Sequence, residues 1–86
     1  MDERRLIRQY ILENFLFSDD EAALLDDSSL IQRGTVDSTG VLELISFIEG
    51  TFGLTVEDEE MIPENLDSVT RILGFIARKR AAAAHS

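Results

Sequence analysis

One pair of residues, Asp37-Ser38, stands where a side chain could be chemically modified. The pair follows a long polar stretch and directly precedes the strongest helical pattern in the chain, so the Ser38 hydroxyl would lie at a helix start. The first backbone N–H groups of a helix lack partners within it and favour a bound anion such as a phosphodiester. Asp and Ser are also favoured helix caps, so this pair alone is compatible with both a modified serine and a structural cap.

Residues for other kinds of chemistry are scarce in this sequence. It contains no cysteine and a single histidine, His85, in the C-terminal tail, which leaves no thiolate and little for an imidazole base or zinc. The acidic runs at residues 19–21 and 58–60 lack the alternating ligands and central glycine of an EF-hand calcium loop. Because no base and nucleophile form a candidate pair, we expect neither an enzyme nor a metal site.

The charge of the chain is strongly negative and unevenly distributed. There are 17 acidic residues against 8 Lys and Arg, for a net charge of −9. Between residues 13 and 67, 15 acidic residues accompany a single base, Arg33. This segment would repel nucleic acid and anionic lipid, because both are bound through Lys and Arg. It suits a basic protein partner, or it serves only to keep the protein in solution.

The length and composition predict one small folded domain. The 86 residues allow a single core, and 44% hydrophobic content with one proline is too apolar for a disordered chain. Charges interrupt the N-terminal segment, so it matches neither a signal peptide nor a membrane span. We expect a cytoplasmic monomer, with a domain over residues 1–80 and a flexible tail over residues 81–86.

Three segments carry apolar residues at three- and four-residue spacings, a pattern that predicts amphipathic helices. The first is expected over residues 3–16 and the second over about 38–51. A last helix should begin at a cap formed by Asp67 or Ser68 and place the bases at 78–80 near the negative end of its dipole.

The segment from Phe17 to Val36 has no helical period and predicts a long connection. At about 20 residues it exceeds most loops in compact domains, which favours short helical turns within it or a function. Ser18 and Glu21 have the spacing of a capping box, and Ser28 or Ser29 could cap a second turn.

The helices are expected to pack into an all-α bundle, since no segment gives a convincing strand signal. After the second helix, Gly53 is a stop signal, and residues 57–62 should form one acidic turn limited by Pro63. The apolar side chains expected near the centre of the bundle are Tyr10, Ile11, Ile45, Ile48, Phe52, Ile72 and Ile76.

The residues after Asp37-Ser38 add a longer pattern to this pair. In unbroken register they are Val41, Leu42, Glu43, Leu44, Ile45, Ile48, Glu49 and Phe52. The pattern resembles the acyl carrier protein family around its Asp-Ser-Leu attachment site, and the resemblance covers roughly residues 30–76. The family fold is a four-helix bundle with three longer helices and a very short third one, which agrees with the elements predicted above.

The resemblance implies that a phosphopantetheinyl transferase moves 4'-phosphopantetheine from coenzyme A onto Ser38. The thiol of this arm would hold an acyl or aminoacyl cargo as a thioester, loaded by a ligase and used by downstream acyl-processing enzymes. Asp37 would assist the transferase. A chain without cysteine has no thiol of its own, so the arm has to supply it.

Six residues are candidates for partner binding: Asp37, Thr39, Leu42, Glu43, Phe47 and Glu49. Thr39 stands where the family usually has leucine, which indicates a specialised rather than a housekeeping carrier. Leu42 and Phe47 flank the core stripe and fit either partner contact or packing at its edge. Glu43 and Glu49 could pair with basic partners or simply be solvated.

Two alternatives remain open at this stage. An unmodified acidic helical adaptor for a basic protein would have the same charge and bundle, although it gives no reason for an Asp-Ser pair in family register. Among carriers, those for fatty acids, polyketides, peptides and D-alanine share the Ser38 chemistry, and the sequence does not separate them.

Overall fold

The structure is a computed structural model that describes residues 2–84. Over this range the chain is all-helical and contains no strand, which confirms the all-α prediction. The helices are α1 (Glu3–Ile11), α2 (Ser38–Phe52), α3 (Pro63–Leu66) and α4 (Val69–Ala84), with single 3₁₀ turns at Glu21–Ala23 and Asp58–Glu60. The predicted bundle of three longer helices and one short third helix is therefore confirmed.

Helix α1 begins where the side chain of Asp2 accepts a hydrogen bond of 3.0 Å from the N–H of Arg4. Beyond Ile11 the helix continues as one wider π turn over Leu12–Leu16, so the predicted helical range of 3–16 is confirmed. The Asn14 side chain donates to the carbonyl of Tyr10 at 2.9 Å. Such a local bond competes with regular α-helical hydrogen bonding, and the sequence did not predict the wider turn.

The ends of α2 and α4 follow the sequence signals. Gly53 adopts a left-handed φ of 67° and ends α2. Ser68 is the cap of α4, because its hydroxyl accepts a hydrogen bond of 3.1 Å from the N–H of Arg71. Helix α4 runs through Ala84, while residues 85 and 86 lie outside the described range. The proposed division between domain and tail stays a prediction.

The bases at 78–80 have a different role from the one predicted. Because α4 continues to Ala84, they lie before its last turn, and they bind other helices instead of the helix end. Arg78 donates to the side chain of Asn65 at 2.7 Å, Lys79 pairs with Glu60 at 2.8 Å, and Arg80 pairs with Glu3. The Lys79 hydrogen bond, followed by the backbone N–H of Glu57, lowers the pKa of Glu60.

Two of the predicted turns differ in detail. The capping box of Ser18 and Glu21 is wrong: the 3₁₀ turn begins at Glu21, and Asp20 caps it by accepting from the N–H of Ala22 at 3.0 Å. The Ser18 hydroxyl accepts from the N–H of Asp20. The acidic turn before Pro63 is confirmed at Asp58–Glu60, and Pro63 itself begins α3, where its missing N–H costs nothing.

The core lies between α1, α2 and α4. Of the predicted central residues, Ile11, Ile45, Ile48, Ile72 and Ile76 are buried. Tyr10 and Phe52 are only half-buried and lie at the edge of the core on either side of Phe47. The Tyr10 and Phe47 rings stack with centroids 4.0 Å apart, and the Phe47 and Phe52 rings meet edge to face at 6.1 Å. The three half-buried rings thus pack against one another in a row, in the stacked and edge-to-face geometries that aromatic pairs favour.

Arg8 of α1 fixes the first part of the long connection. Its side chain is 5% exposed, and its guanidinium donates to the carbonyls of Glu21 and Leu24 at 2.7 and 2.9 Å. It also donates to the carboxylates of Asp26 at 2.6 Å and Glu21 at 3.3 Å. We call this set of four bonds the Arg8 clamp. A buried charge is tolerated only when paired and hydrogen-bonded, and these bonds meet that requirement.

The carboxylate of Asp26 is the closer acidic partner of Arg8 in this clamp. Partial burial opposes its ionisation, but hydrogen bonds from Arg4 and Arg8 outweigh that effect, so its pKa lies below the ordinary 3.8. A lowered folded-state pKa adds stability at pH values above the unfolded pKa. The contribution of Asp26 is therefore present at neutral pH and is lost as the pH falls through its folded-state pKa.

Asp67, between α3 and α4, fixes the second part of the connection. Its carboxylate accepts from the Ser29 hydroxyl at 2.8 Å and from the N–H of Ile31 at 3.0 Å, while its carbonyl accepts from the N–H of Leu30 at 2.6 Å. Ser29 also caps the turn through Leu30 by accepting from the N–H of Gln32, which confirms the predicted cap. The chain is thus held on both sides before it reaches α2.

We expect Arg8→Met to lower the free energy of unfolding by about 3 kcal/mol, because it leaves two backbone carbonyls without their donor and the Asp26 carboxylate with Arg4 as its remaining partner. Arg5→Met is the matched control: Arg5 is an exposed base of the same helix, so its loss should cost no more than about 0.5 kcal/mol. Urea unfolding followed by circular dichroism measures both values. Equal stability of the two variants would show that the clamp contributes nothing.

Candidate functional site

The predicted Asp37-Ser38 pair lies at the start of α2, as expected. Asp37 has an extended backbone and caps the helix, because its side chain accepts a hydrogen bond of 2.7 Å from the N–H of Gly40. Ser38 is the first residue of the helix, and its side chain is exposed. The cap is therefore supplied by Asp37, which leaves the Ser38 hydroxyl open to an enzyme.

The start of α2 is held rigidly by its neighbours. Val36, one residue before the cap, is buried, and its N–H donates to the carbonyl of Leu30 at 3.1 Å. On the other side α1 approaches closely, since a methyl group added at Gly40 would come within 2.8 Å of the Phe15 ring. Buried anchors on both sides fix the position and direction of Ser38.

An apolar groove of about 420 Å³ opens directly beside Ser38. It lies between the end of the long connection, the first turns of α2 and the segment around α3. Its apolar lining consists of Ile31, Val36, Val41, Leu42, Met61, Ile62, Pro63 and Leu66. Ile31, Leu42 and Ile62 are exposed, and Leu42 is 60% exposed. A concave and mostly apolar groove of this kind is typical of a binding site.

Only part of this groove was predicted from the sequence. Leu42 was a candidate from the α2 pattern, and it lies at the groove together with Asp37 and Ser38. The far wall around Met61 and Ile62 was not predicted. Met61 and Ile62 could have been noticed in the sequence, because they form an apolar pair directly after an acidic turn, where polar residues are usual.

The other candidates for partner binding occupy different surroundings. Thr39 and Glu43 are exposed on α2. Phe47 stacks on Tyr10, which favours packing at the edge of the core over partner contact. Glu49 accepts a hydrogen bond of 2.9 Å from the N–H of Val56, so it holds the chain that follows α2. Partner binding by any of these residues stays a prediction.

Tyr10 links α1 to the middle of α2. Its hydroxyl donates to the carbonyl of Glu43 at 3.2 Å. Burial of the hydroxyl, followed by the negative charge of Glu43, raises the pKa of Tyr10 above its ordinary value. The hydroxyl therefore keeps its proton and remains a donor at physiological pH. This contact and the approach of Phe15 to Gly40 fix the position of α1 along the length of α2.

Within residues 2–84, no helix has both the length and the apolar character needed to cross a membrane. No group of three or more His, Cys, Asp or Glu side chains in that range could hold a metal ion.

Comparison with known proteins identifies the family. No protein-family model matches the sequence. Curated D-alanyl carrier proteins of Streptococcus pyogenes serotypes M5 (strain Manfredo), M49 (strain NZ131) and M1 are each 33% identical to this chain over 69 residues. The match covers 78% of this chain and 86% of each relative.

This similarity shows that the chain belongs to the phosphopantetheine-dependent carrier proteins, the family of the acyl carrier proteins. Carrier proteins are not enzymes. Within the family, the relatives named here are specialised carriers whose name refers to D-alanine.

We expect Gly40→Ala to lower the free energy of unfolding by about 1 kcal/mol, because the new methyl group would displace the Phe15 ring. Gly50→Ala, in the same helix, meets nothing within 4 Å and should raise stability by about 0.5 to 1 kcal/mol, since alanine favours helix over glycine. Thermal unfolding of both variants measures the difference. Stabilisation by both would contradict the close approach of α1 to the start of α2.

Proposed function

We propose that this protein holds an acyl or aminoacyl cargo on a phosphopantetheine arm attached to Ser38 and presents the cargo to partner enzymes. The observation that carries the proposal is the exposed Ser38 hydroxyl at the Asp37-capped start of α2, beside an open apolar groove. Membership of the carrier family supports the same assignment.

The residues around Ser38 fit such an arm. The Ser38 hydroxyl would form the phosphodiester, and the positive end of the α2 dipole favours its negative charge. Val41, Leu42 and Ile62 line the groove next to it and suit the apolar part of an arm. When bound, the arm supplies the thiol that holds the cargo as a thioester. No residue of this chain could replace that thiol, because the sequence contains no cysteine.

The partners follow from this chemistry. A phosphopantetheinyl transferase would attach the arm, a ligase would load the cargo, and downstream enzymes would take it, all in the cytoplasm. The names of the relatives make D-alanine the first cargo to test. The exposed carboxylate of Glu43 on α2 suits partners with basic surfaces, which would also be attracted by the net charge of −9.

The decisive experiment incubates the protein with coenzyme A, magnesium and a broad-specificity phosphopantetheinyl transferase. We expect the intact mass to increase by one arm in the wild type, and Ser38→Ala to abolish the increase. Ser46→Ala is the matched control, because Ser46 is an exposed serine of the same helix and should not affect the addition.

Two results would reject the proposal. If the wild type takes no arm from several transferases, the protein is better described as an unmodified acidic adaptor. If Ser38→Ala is modified as readily as the wild type, the attachment site is wrong.

We expect Thr39 to restrict the choice of partners. Fatty-acid enzymes that receive the usual family leucine in an apolar pocket would instead meet a smaller, exposed side chain with a hydroxyl, at a loss of about 1 to 2 kcal/mol. Thr39→Leu should therefore raise the loading rate of one such enzyme about tenfold.

Thr51→Leu is the matched control for this change. Thr51 is also exposed on α2, and 12 residues of helix place it about 18 Å from Thr39. Circular dichroism should show the same fold for all three proteins. If Thr39→Leu and Thr51→Leu have the same rate, Thr39 is a neutral difference and does not indicate specialisation.

A further inference from the structure

Phe17 combines two unfavourable features at the end of the π turn. Its side chain is 82% exposed, and its backbone has a left-handed φ of 52°. Among residues 2–84 it is the sole non-glycine residue with a positive φ. A bulky side chain strains this conformation, whereas glycine adopts it freely. Neither burial nor backbone preference therefore accounts for a phenylalanine at this position.

The contacts between α1 and α2 place Phe17 at the same end of the bundle as Ser38. The two helices are antiparallel, because Tyr10 binds the carbonyl of Glu43 and the later Phe15 lies against the earlier Gly40. Two residues beyond Phe15, the chain has reached the level at which α2 begins. Phe17 thus lies on the α1 side of Ser38, while the apolar groove lies on the α3 side.

Acidic residues lie within four positions of Phe17 in the chain. Glu13, Asp19 and Asp20 are exposed, and none of the three forms an ion pair within the described part of the chain. An exposed ring with exposed carboxylates close to it in the chain is complementary to an apolar pocket bordered by Lys or Arg side chains. The same charges disfavour an anionic lipid surface.

We propose that the Phe17 ring is a contact for the phosphopantetheinyl transferase, which receives it in an apolar pocket with a basic rim. The inference rests on the proposed function of Ser38. The transferase is the partner in question because it alone has to reach the Ser38 hydroxyl itself. Enzymes that act later meet the far end of the arm and need not cover this end of the bundle.

A transferase contact and a structural role of the Phe17 ring predict different effects of the same substitution. Phe17→Gly removes a strained backbone position and loses almost no burial, so the folded protein should be as stable as the wild type or more stable. The same change removes the ring from the transferase contact. Stability and transferase affinity are therefore expected to change in opposite directions.

The test measures arm attachment by the same broad-specificity transferase as a function of carrier concentration, together with the melting temperature. Phe17→Gly should raise KM about five- to tenfold, as expected for the loss of one aromatic contact, with kcat unchanged. Phe17→Leu, which retains an apolar side chain, should recover most of the affinity.

Leu25→Gly is the matched control. Leu25 is a 55% exposed apolar residue of the same connection, but it lies between Leu24 and Asp26, which the Arg8 clamp holds near the beginning of α1. Its removal is expected to leave KM unchanged. Size-exclusion chromatography of the wild type and Phe17→Gly shows whether the ring instead joins two copies of the chain.

The outcomes separate this inference from the proposed function. If the wild type is loaded on Ser38 and Phe17→Gly has the same KM, the Phe17 contact is rejected and the carrier function stands. An equal rise in KM for Leu25→Gly, a lower melting temperature of Phe17→Gly, or a wild-type dimer that Phe17→Gly dissociates would also reject it. If the wild type takes no arm, both proposals fail.

Discussion

The position of Ser38 depends on how the long connection between α1 and α2 is held. Ordering each residue of a loop costs about 1 to 2 kcal/mol, so a connection of about 20 residues without stabilising contacts would remain flexible. The start of α2 could then move. Here the buried guanidinium of Arg8 binds the connection to α1, and Asp67 binds it to the beginning of α4. Each attachment satisfies backbone groups that would otherwise lack partners. The exposed serine is consequently presented from a fixed surface.

This arrangement explains how so small a protein can serve several partners. The core of isoleucine and leucine side chains maintains the bundle, so the surface around Ser38 is free to vary. One side of that surface is the apolar groove with Leu42, and the other is the exposed Phe17 with its acidic neighbours. Apolar contacts give affinity, while acidic charges attract basic partners and set their orientation. Thr39, the exposed residue after Ser38, is the position at which we propose that partner choice is adjusted.

Regular features could be predicted from the sequence, and long-range contacts could not. Helical periodicity located α1, α2 and α4, and local signals located the Gly53 stop and narrowed each of two helix caps to a pair of neighbouring residues, of which the structure selects Asp37 and Ser68. The Arg8 clamp was not predicted, because a charged residue in a helix usually faces solvent and its partners are 13 to 18 positions away. The far wall of the groove was missed for the same reason, since Met61 and Ile62 meet α2 only after the chain has folded.

The proposed carrier function depends on whether Ser38 is modified in the living cell. The most direct measurement is mass spectrometry of the Ser38 peptide from protein purified from its native cells, before and after treatment with neutral hydroxylamine. The account predicts a phosphopantetheine arm on this peptide, with a fraction that carries a cargo released by hydroxylamine as a thioester would be. Recovery of the Ser38 peptide solely in unmodified form would contradict the account.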